Sequence, residues 1–123
     1  MDRLAKIFIV DDDQNLVFIL KEFLRSINNH IIDCAFNGEE AIQKLKNFTE
    51  FPDLILMDHR MPVKNGIETS KVILGDYPQT KIIFLSADYT VREKALEIGA
   101  KAFVEKPFSF EKLKIIIEKV LAN

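Results

Sequence analysis

Tryptophan is absent from this chain of 123 residues, cysteine occurs once, histidine twice, and glycine and proline four times each. The single Cys34 excludes an internal disulfide and fits a reducing compartment. Two histidines, His30 and His59, are too few for a histidine-based metal site. An excess of one charge is also missing. Lys and Arg number 17 against 19 Asp and Glu, a formal charge of −2, without the basic surplus of a nucleic-acid binder. The longest apolar run, Leu16–Leu20, is far too short to span a membrane, and the start, Met-Asp-Arg-Leu-Ala-Lys, lacks the apolar core of a secretory signal. No repeat, low-complexity tract or linker interrupts the chain. With 48% apolar and 29% charged residues, the expectation is one well-cored cytoplasmic domain over residues 1–123.

Two kinds of apolar segment alternate along the sequence. Short runs at Ile7–Val10, Ile31–Phe36, Leu54–Met57, Ile82–Leu85 and Ala102–Val104 read as strands, most of them buried on both faces. Between them lie stripes with helical spacing. Leu16, Leu20, Phe23, Leu24 and Ile27 form the first, and Ala41, Ile42, Leu45 and Phe48 the second. Ile67–Leu74, Val91–Ile98 and Phe110–Leu121 complete the set. Asn37 with Glu40, and Thr90 with Glu93, have capping-box spacing; Asp13 and Ser109 suit the starts of the first and last helices. Gly75 and Gly99 stand where helices are expected to stop. Five strand–helix repeats imply an α/β fold: an open, doubly wound, five-stranded parallel sheet with helices on both faces.

Ligands of such sheets bind beyond the carboxyl ends of the strands. There the sequence places Asp11, Asp12 and Asp13 after the first strand and Asp58 after the third. Ser86 follows the fourth strand, and Glu105, Lys106 and Pro107 close the fifth. Crowded carboxylates repel one another unless a cation neutralises them, and a hard divalent ion such as Mg²⁺ takes a few carboxylates, a carbonyl and waters. A cation, an ammonium and a hydroxyl together suit a phosphoryl group, and a carboxylate among them could accept it as an acyl phosphate. Position and charge leave open which carboxylate would be the acceptor.

The segments I-F-I-V-D-D (Ile7–Asp12), P-D-L-I-L-M-D-H-R-M-P-V-K-N-G (Pro52–Gly66), I-I-F-L-S-A (Ile82–Ala87) and G-A-K-A-F-V-E-K-P-F (Gly99–Phe108) stand in order on these strand ends. In them the chain resembles the receiver domains of two-component response regulators over essentially its whole length. The resemblance implies a flavodoxin-like (βα)5 sheet of strand order 2-1-3-4-5. It implies Asp58 as phosphoacceptor from a sensor kinase histidine or a phosphotransfer protein. Asp11, Asp12, Asp58 and the backbone carbonyl of Arg60 would hold Mg²⁺ (or Mn²⁺), with Asp13 left to cap the first helix. Ser86 and Lys106 would meet the phosphoryl oxygens, the Lys106–Pro107 peptide would be cis, and Ser86 and Phe103 would switch with phosphorylation. Arg60, Ala87 and Asp88 would rim the pocket, where an Arg60–Asp88 ion pair could cover the acyl phosphate. Output would pass to a protein partner, or a second copy, through the fourth helix, fifth strand and fifth helix.

Two other functions compete. A haloacid-dehalogenase-type phosphatase would use Asp11 and Asp13 on the first strand, and Asp11→Asn rather than Asp58→Asn would then abolish covalent labelling. A receiver-shaped scaffold would work without phosphorylation, but every site residue it could have lost is present. Cys34 is expected to pack as a small hydrophobe, His59 to point away from the acceptor side chain, and Lys112, Lys114 and Lys119 to form a solvated face.

Overall fold

Strands rich in Ile, Leu, Val and Phe bury both of their faces only when helices cover the sheet on each side. That arrangement is present in the computed structural model, which describes residues 4–123. The elements run β1 (Ala5–Val10), α1 (Gln14–Ser26), β2 (Asn29–Ala35), α2 (Gly38–Asn47), β3 (Leu54–Met57) and α3 (Gly66–Asp76). They continue with β4 (Ile82–Ser86), a 3-10 turn (Tyr89–Val91), α4 (Arg92–Glu97), β5 (Ala102–Glu105) and α5 (Phe110–Ala122). The strands form one parallel sheet in the order β2-β1-β3-β4-β5. The central strands β3 and β4 are buried throughout, whereas the edge strands β2 and β5 are only partly so.

Period-two alternation sorts the strand residues between two cores. Ile7, Ile9, Leu54, Leu56, Ile83 and Leu85 face α1 and α5, meeting Leu20, Leu24, Leu113 and Ile117. Phe8, Val10, Ile55, Met57, Ile82 and Phe84 face the other way, with Ala41, Leu45, Ile73 and Ala95 from α2, α3 and α4. Each such Ile, Leu or Phe contributes about 1.5–3 kcal/mol when fully buried. Cys34 packs, half-buried, at the edge of the first core. Among the described residues no helix is long and apolar enough to cross a membrane.

The local sequence signals hold at some helix ends and fail at others. Asp13 caps α1 by accepting from the N–H groups of Asn15 and Leu16, and Ser109 caps α5 by accepting from Lys112. Asn37 accepts from the Glu40 N–H at 2.8 Å. Phe36, expected to end β2, lies beyond it because its N–H donates to the Glu40 carboxylate instead of the sheet. Thr90 is not a helix cap. It sits inside the 3-10 turn, which Asp88 caps by accepting the Thr90 N–H at 3.1 Å, and α4 begins with no side-chain cap. Gly75 does not stop α3, which runs on to Asp76 and ends at Tyr77. Gly99 does follow α4, with φ +118°.

Among the described residues one buried side-chain polar atom lacks a partner: the Ser70 hydroxyl on α3, in a residue with no exposed surface. An unsatisfied buried hydroxyl is a net cost, and alanine is the better helix former. Ser70→Ala is therefore expected to leave stability unchanged or raise it by up to about 1 kcal/mol. Urea denaturation of the two proteins checks this; a loss of more than that amount would mean the hydroxyl is bonded after all.

Candidate functional site

The carboxyl ends of β1, β3, β4 and β5 converge because the four strands are neighbours in one parallel sheet. Asp11 leaves β1 with its N–H still bonded to Ala35 O at 3.0 Å, and Asp58 leaves β3 with its N–H on Val10 O at 2.9 Å. The backbone thus fixes both acids before any side-chain contact is made. Asp11 is 2% and Asp58 6% exposed, while Asp12 is open to solvent. One carboxylate oxygen from each of the three lies within 4.8 Å of the others.

Lys106 enters from the end of β5, its own N–H held by Ser86 O at 2.9 Å. Its ammonium lies 2.8 Å from Asp11 Oδ2 and 3.5 Å from Asp58 Oδ1. The peptide bond that follows, to Pro107, is cis. Burial, together with repulsion from Asp11, pushes the Asp58 carboxyl up to about 7 despite the nearby Lys106 and the hydrogen bond from the His59 N–H. For Lys106, burial works to lower the ammonium, but the hydrogen bond and charge of Asp11, and the charge of Asp58, carry it above its ordinary value. Three acids against one ammonium leave an excess of negative charge. Oxygen donors in that number and spacing suit a hard divalent cation.

The loop after β3 is shaped around Asp58. His59 donates its N–H to Asp58 Oδ1 at 2.8 Å, its carbonyl accepts from Gly66 N–H at 2.8 Å, and its ring Nδ1 accepts from Ile67 N–H at 3.4 Å. The ring is therefore taken up at the start of α3. Burial lowers the imidazole below its ordinary value. Between these anchors the Lys64 N–H bonds to Pro62 O at 2.8 Å, closing a three-residue turn whose centre, Val63, has φ 71° and is 80% exposed. Asn65 and Glu68 form a full capping box at the start of α3. Sequence reasoning missed this cap although Asn65-Gly66-Ile67-Glu68 has the N-x-x-E spacing of a capping box.

Across the site, Ser86 is 1% exposed and its Oγ accepts the Asp88 N–H at 3.0 Å. Arg60 Nε donates to Asp88 Oδ2 at 3.2 Å, so the ion pair anticipated between these two positions is present. The hydroxyl and N–H of Thr90 and the Arg60 contact hold the Asp88 carboxyl below its ordinary value. Phe103, on β5, lies half-buried with its ring 6.3 Å from both Phe84 and Tyr89. Asp13 stands apart from the acidic cluster, its carboxylate used by α1.

Comparison with known proteins agrees with this geometry. Residues 7–118 match the family described as the response regulator receiver domain. Protein CcdB of Bacillus subtilis is 34% identical over 122 residues, covering 98% of this chain and all of that protein. Several transcriptional regulatory proteins match over only about half of their own length. Among solved structures, one of the CheX–CheY–BeF3–Mg²⁺ complex from Borrelia burgdorferi superposes with a TM-score of 0.91 at 30% identity, covering 97% of this chain and 90% of that one. The response regulator TrrA of Thermotoga maritima, in complex with Mg²⁺–BeF, gives 0.86 at 34% identity over 95% and 99% of the two chains.

Proposed function

Because this chain belongs to the response regulator receiver domain family, we propose that it accepts a phosphoryl group on Asp58 from the phosphohistidine of a sensor kinase or phosphotransfer protein. The observation that carries this reading is the meeting of Asp11, Asp12 and Asp58 within 4.8 Å, with Lys106 reaching two of them. In the transfer, a lone pair of an Asp58 oxygen forms the new O–P bond. The P–N bond of the donor breaks, and its electron pair leaves with the imidazole. Lys106 stands where it can meet the charge on the phosphoryl oxygens, and the Ser86 hydroxyl supplies a hydrogen bond.

Asp11, Asp12, Asp58 and the Arg60 carbonyl would hold Mg²⁺ or Mn²⁺. When bound, such an ion supplies the positive charge that lets the acids and the phosphoryl oxygens share one pocket. BeF3 and Mg²⁺ are named together in the structures of CheY and TrrA that this chain resembles. The readout follows by population shift: Ser86 and Phe103 respond to phosphorylation, and the α4-β5-α5 surface changes what it offers to a downstream protein or a second copy. That relative CheY is itself described in a complex with CheX. We place the domain, over residues 1–123, in the cytoplasm, as a signalling module rather than a metabolic enzyme. The phosphatase alternative is disfavoured because the Asp13 carboxylate is committed to capping α1.

The test is intact-protein mass after incubation with acetyl phosphate and Mg²⁺. One added phosphoryl group is expected, dependent on the metal and absent from Asp58→Asn. An adduct that survives in Asp58→Asn but disappears in Asp11→Asn would move the nucleophile to β1. No adduct, followed by no binding of beryllofluoride, would leave a scaffold that works without phosphorylation.

A further inference from the structure

Resting on that reading, we propose that Asp88 is a positioning residue for the Ser86 hydroxyl, anchored from both sides by Thr90 and Arg60. Serine has no γ-methyl, so its side chain is less restricted than that of threonine, and a fixed hydroxyl has to be fixed from outside. Here the Asp88 N–H does so, donating to Ser86 Oγ at 3.0 Å. With that lone pair engaged, the one hydroxyl proton remains free to donate to a phosphoryl oxygen.

The contact is only as well placed as the main chain of Asp88. Its carboxylate sets that placement. One oxygen, Oδ1, accepts the N–H and the hydroxyl of Thr90, forming an Asx turn that fixes the chain after β4. The other, Oδ2, accepts Arg60 Nε at 3.2 Å. Arg60 belongs to the loop after β3, two residues beyond Asp58, so the pair joins the loop that carries the phosphoacceptor to the loop that carries the hydroxyl. The Arg60 side chain is 79% exposed and that of Asp88 10%, so the pair is solvated on the arginine side alone. Urea denaturation of each variant establishes that it is folded before its chemistry is measured.

An alternative role for Asp88 is simply to cap the 3-10 turn at Tyr89–Val91. The two roles separate in a double-mutant cycle, because a positioning residue has no effect once the group it positions is gone. The rate of Asp58 phosphorylation by acetyl phosphate at saturating Mg²⁺, read by intact mass, is the measurement. Asp88→Ala is expected to slow it about fivefold in the wild-type background and to leave it unchanged in Ser86→Ala. Asp88→Asn retains an oxygen for the Thr90 N–H but none for Arg60, and its rate is expected to fall between those of Asp88→Ala and wild type. An equal slowing by Asp88→Ala in both backgrounds, or no slowing in either, overturns the proposal. If the unsubstituted protein takes no phosphoryl group, the receiver reading falls and this proposal with it, a failure visible before Asp88 is touched.

Discussion

Gly66→Ala is expected to destabilise the fold by about 3 kcal/mol and to remove most phosphorylation at Asp58. A Cβ built on Gly66 would lie 2.2 Å from Asp58 O and 2.8 Å from His59 Cα. Both atoms are backbone, so no side chain can swing away, and the start of α3 has to move off the end of β3. That movement strains the 2.8 Å bond from Gly66 N–H to His59 O, and with it the segment that aims the Asp58 carboxylate. Gly75 provides the control within the same helix. A Cβ there meets nothing within 4 Å, and α3 continues through it. Gly75→Ala is therefore expected to stabilise by about 1 kcal/mol through helix propensity alone. Urea denaturation of the two variants reads both effects; equal stability of Gly66→Ala and wild type would contradict the close approach of α3 to Asp58.

In the absence of Mg²⁺, Asp58→Asn is expected to be more stable than wild type at pH 8 by about 3 kcal/mol, and no more stable below pH 4. The unfolded chain releases the Asp58 proton near 3.8, the folded chain near 7. Below the lower value both states are protonated and the carboxyl carries no penalty. As pH rises between the two values the unfolded state loses its proton first, so folding stability falls. Above the folded value the penalty is complete, with a ceiling of about 4 kcal/mol from the separation of the two values. Asparagine removes the charge that burial and Asp11 oppose, while its amide oxygen can still accept from the His59 N–H. Mg²⁺ is expected to stabilise wild type more than the variant, since it neutralises a charge the variant lacks. Denaturation curves from pH 4 to pH 8 with chelator present decide the matter: a gain independent of pH would show that the effect is packing rather than ionisation.

The fold was legible in the sequence because its strands are buried. Ile7–Val10, Leu54–Met57 and Ile82–Leu85 are short, continuous apolar runs, and such runs separated by helical stripes have few other solutions. The ends of these runs, with that of Ala102–Val104, point to Asp11, Asp12, Asp13, Asp58, Ser86 and Lys106 without choosing among the acids. The order of the strands came only with the family resemblance, since alternation of strand and helix does not choose among parallel orders. The capping interactions were less legible. Thr90 and Glu93 have the spacing of a capping box, yet Asp88, two residues earlier, takes the Thr90 N–H because its carboxylate is also drawn by Arg60 from another loop. A one-dimensional motif does not contain that second partner. The same holds for His59, whose ring bonds to Ile67 N–H only because α3 starts against the end of β3. What sequence spacing conveyed well was burial and periodicity; what it conveyed poorly was competition for a donor between segments distant along the chain.

The ammonium of Lys106 and the carboxylate of Asp11 are separated by 95 positions along the chain. A nascent polypeptide emerges from the ribosome N-terminus first, so the acids of β1 and β3 are synthesised long before the lysine that partly neutralises them. Without β5 docked at the sheet edge, Asp11 and Asp58 would lack the ammonium that meets them in the folded chain. The finished pocket therefore depends on the last strand of the sheet as much as on the strands that carry its acids.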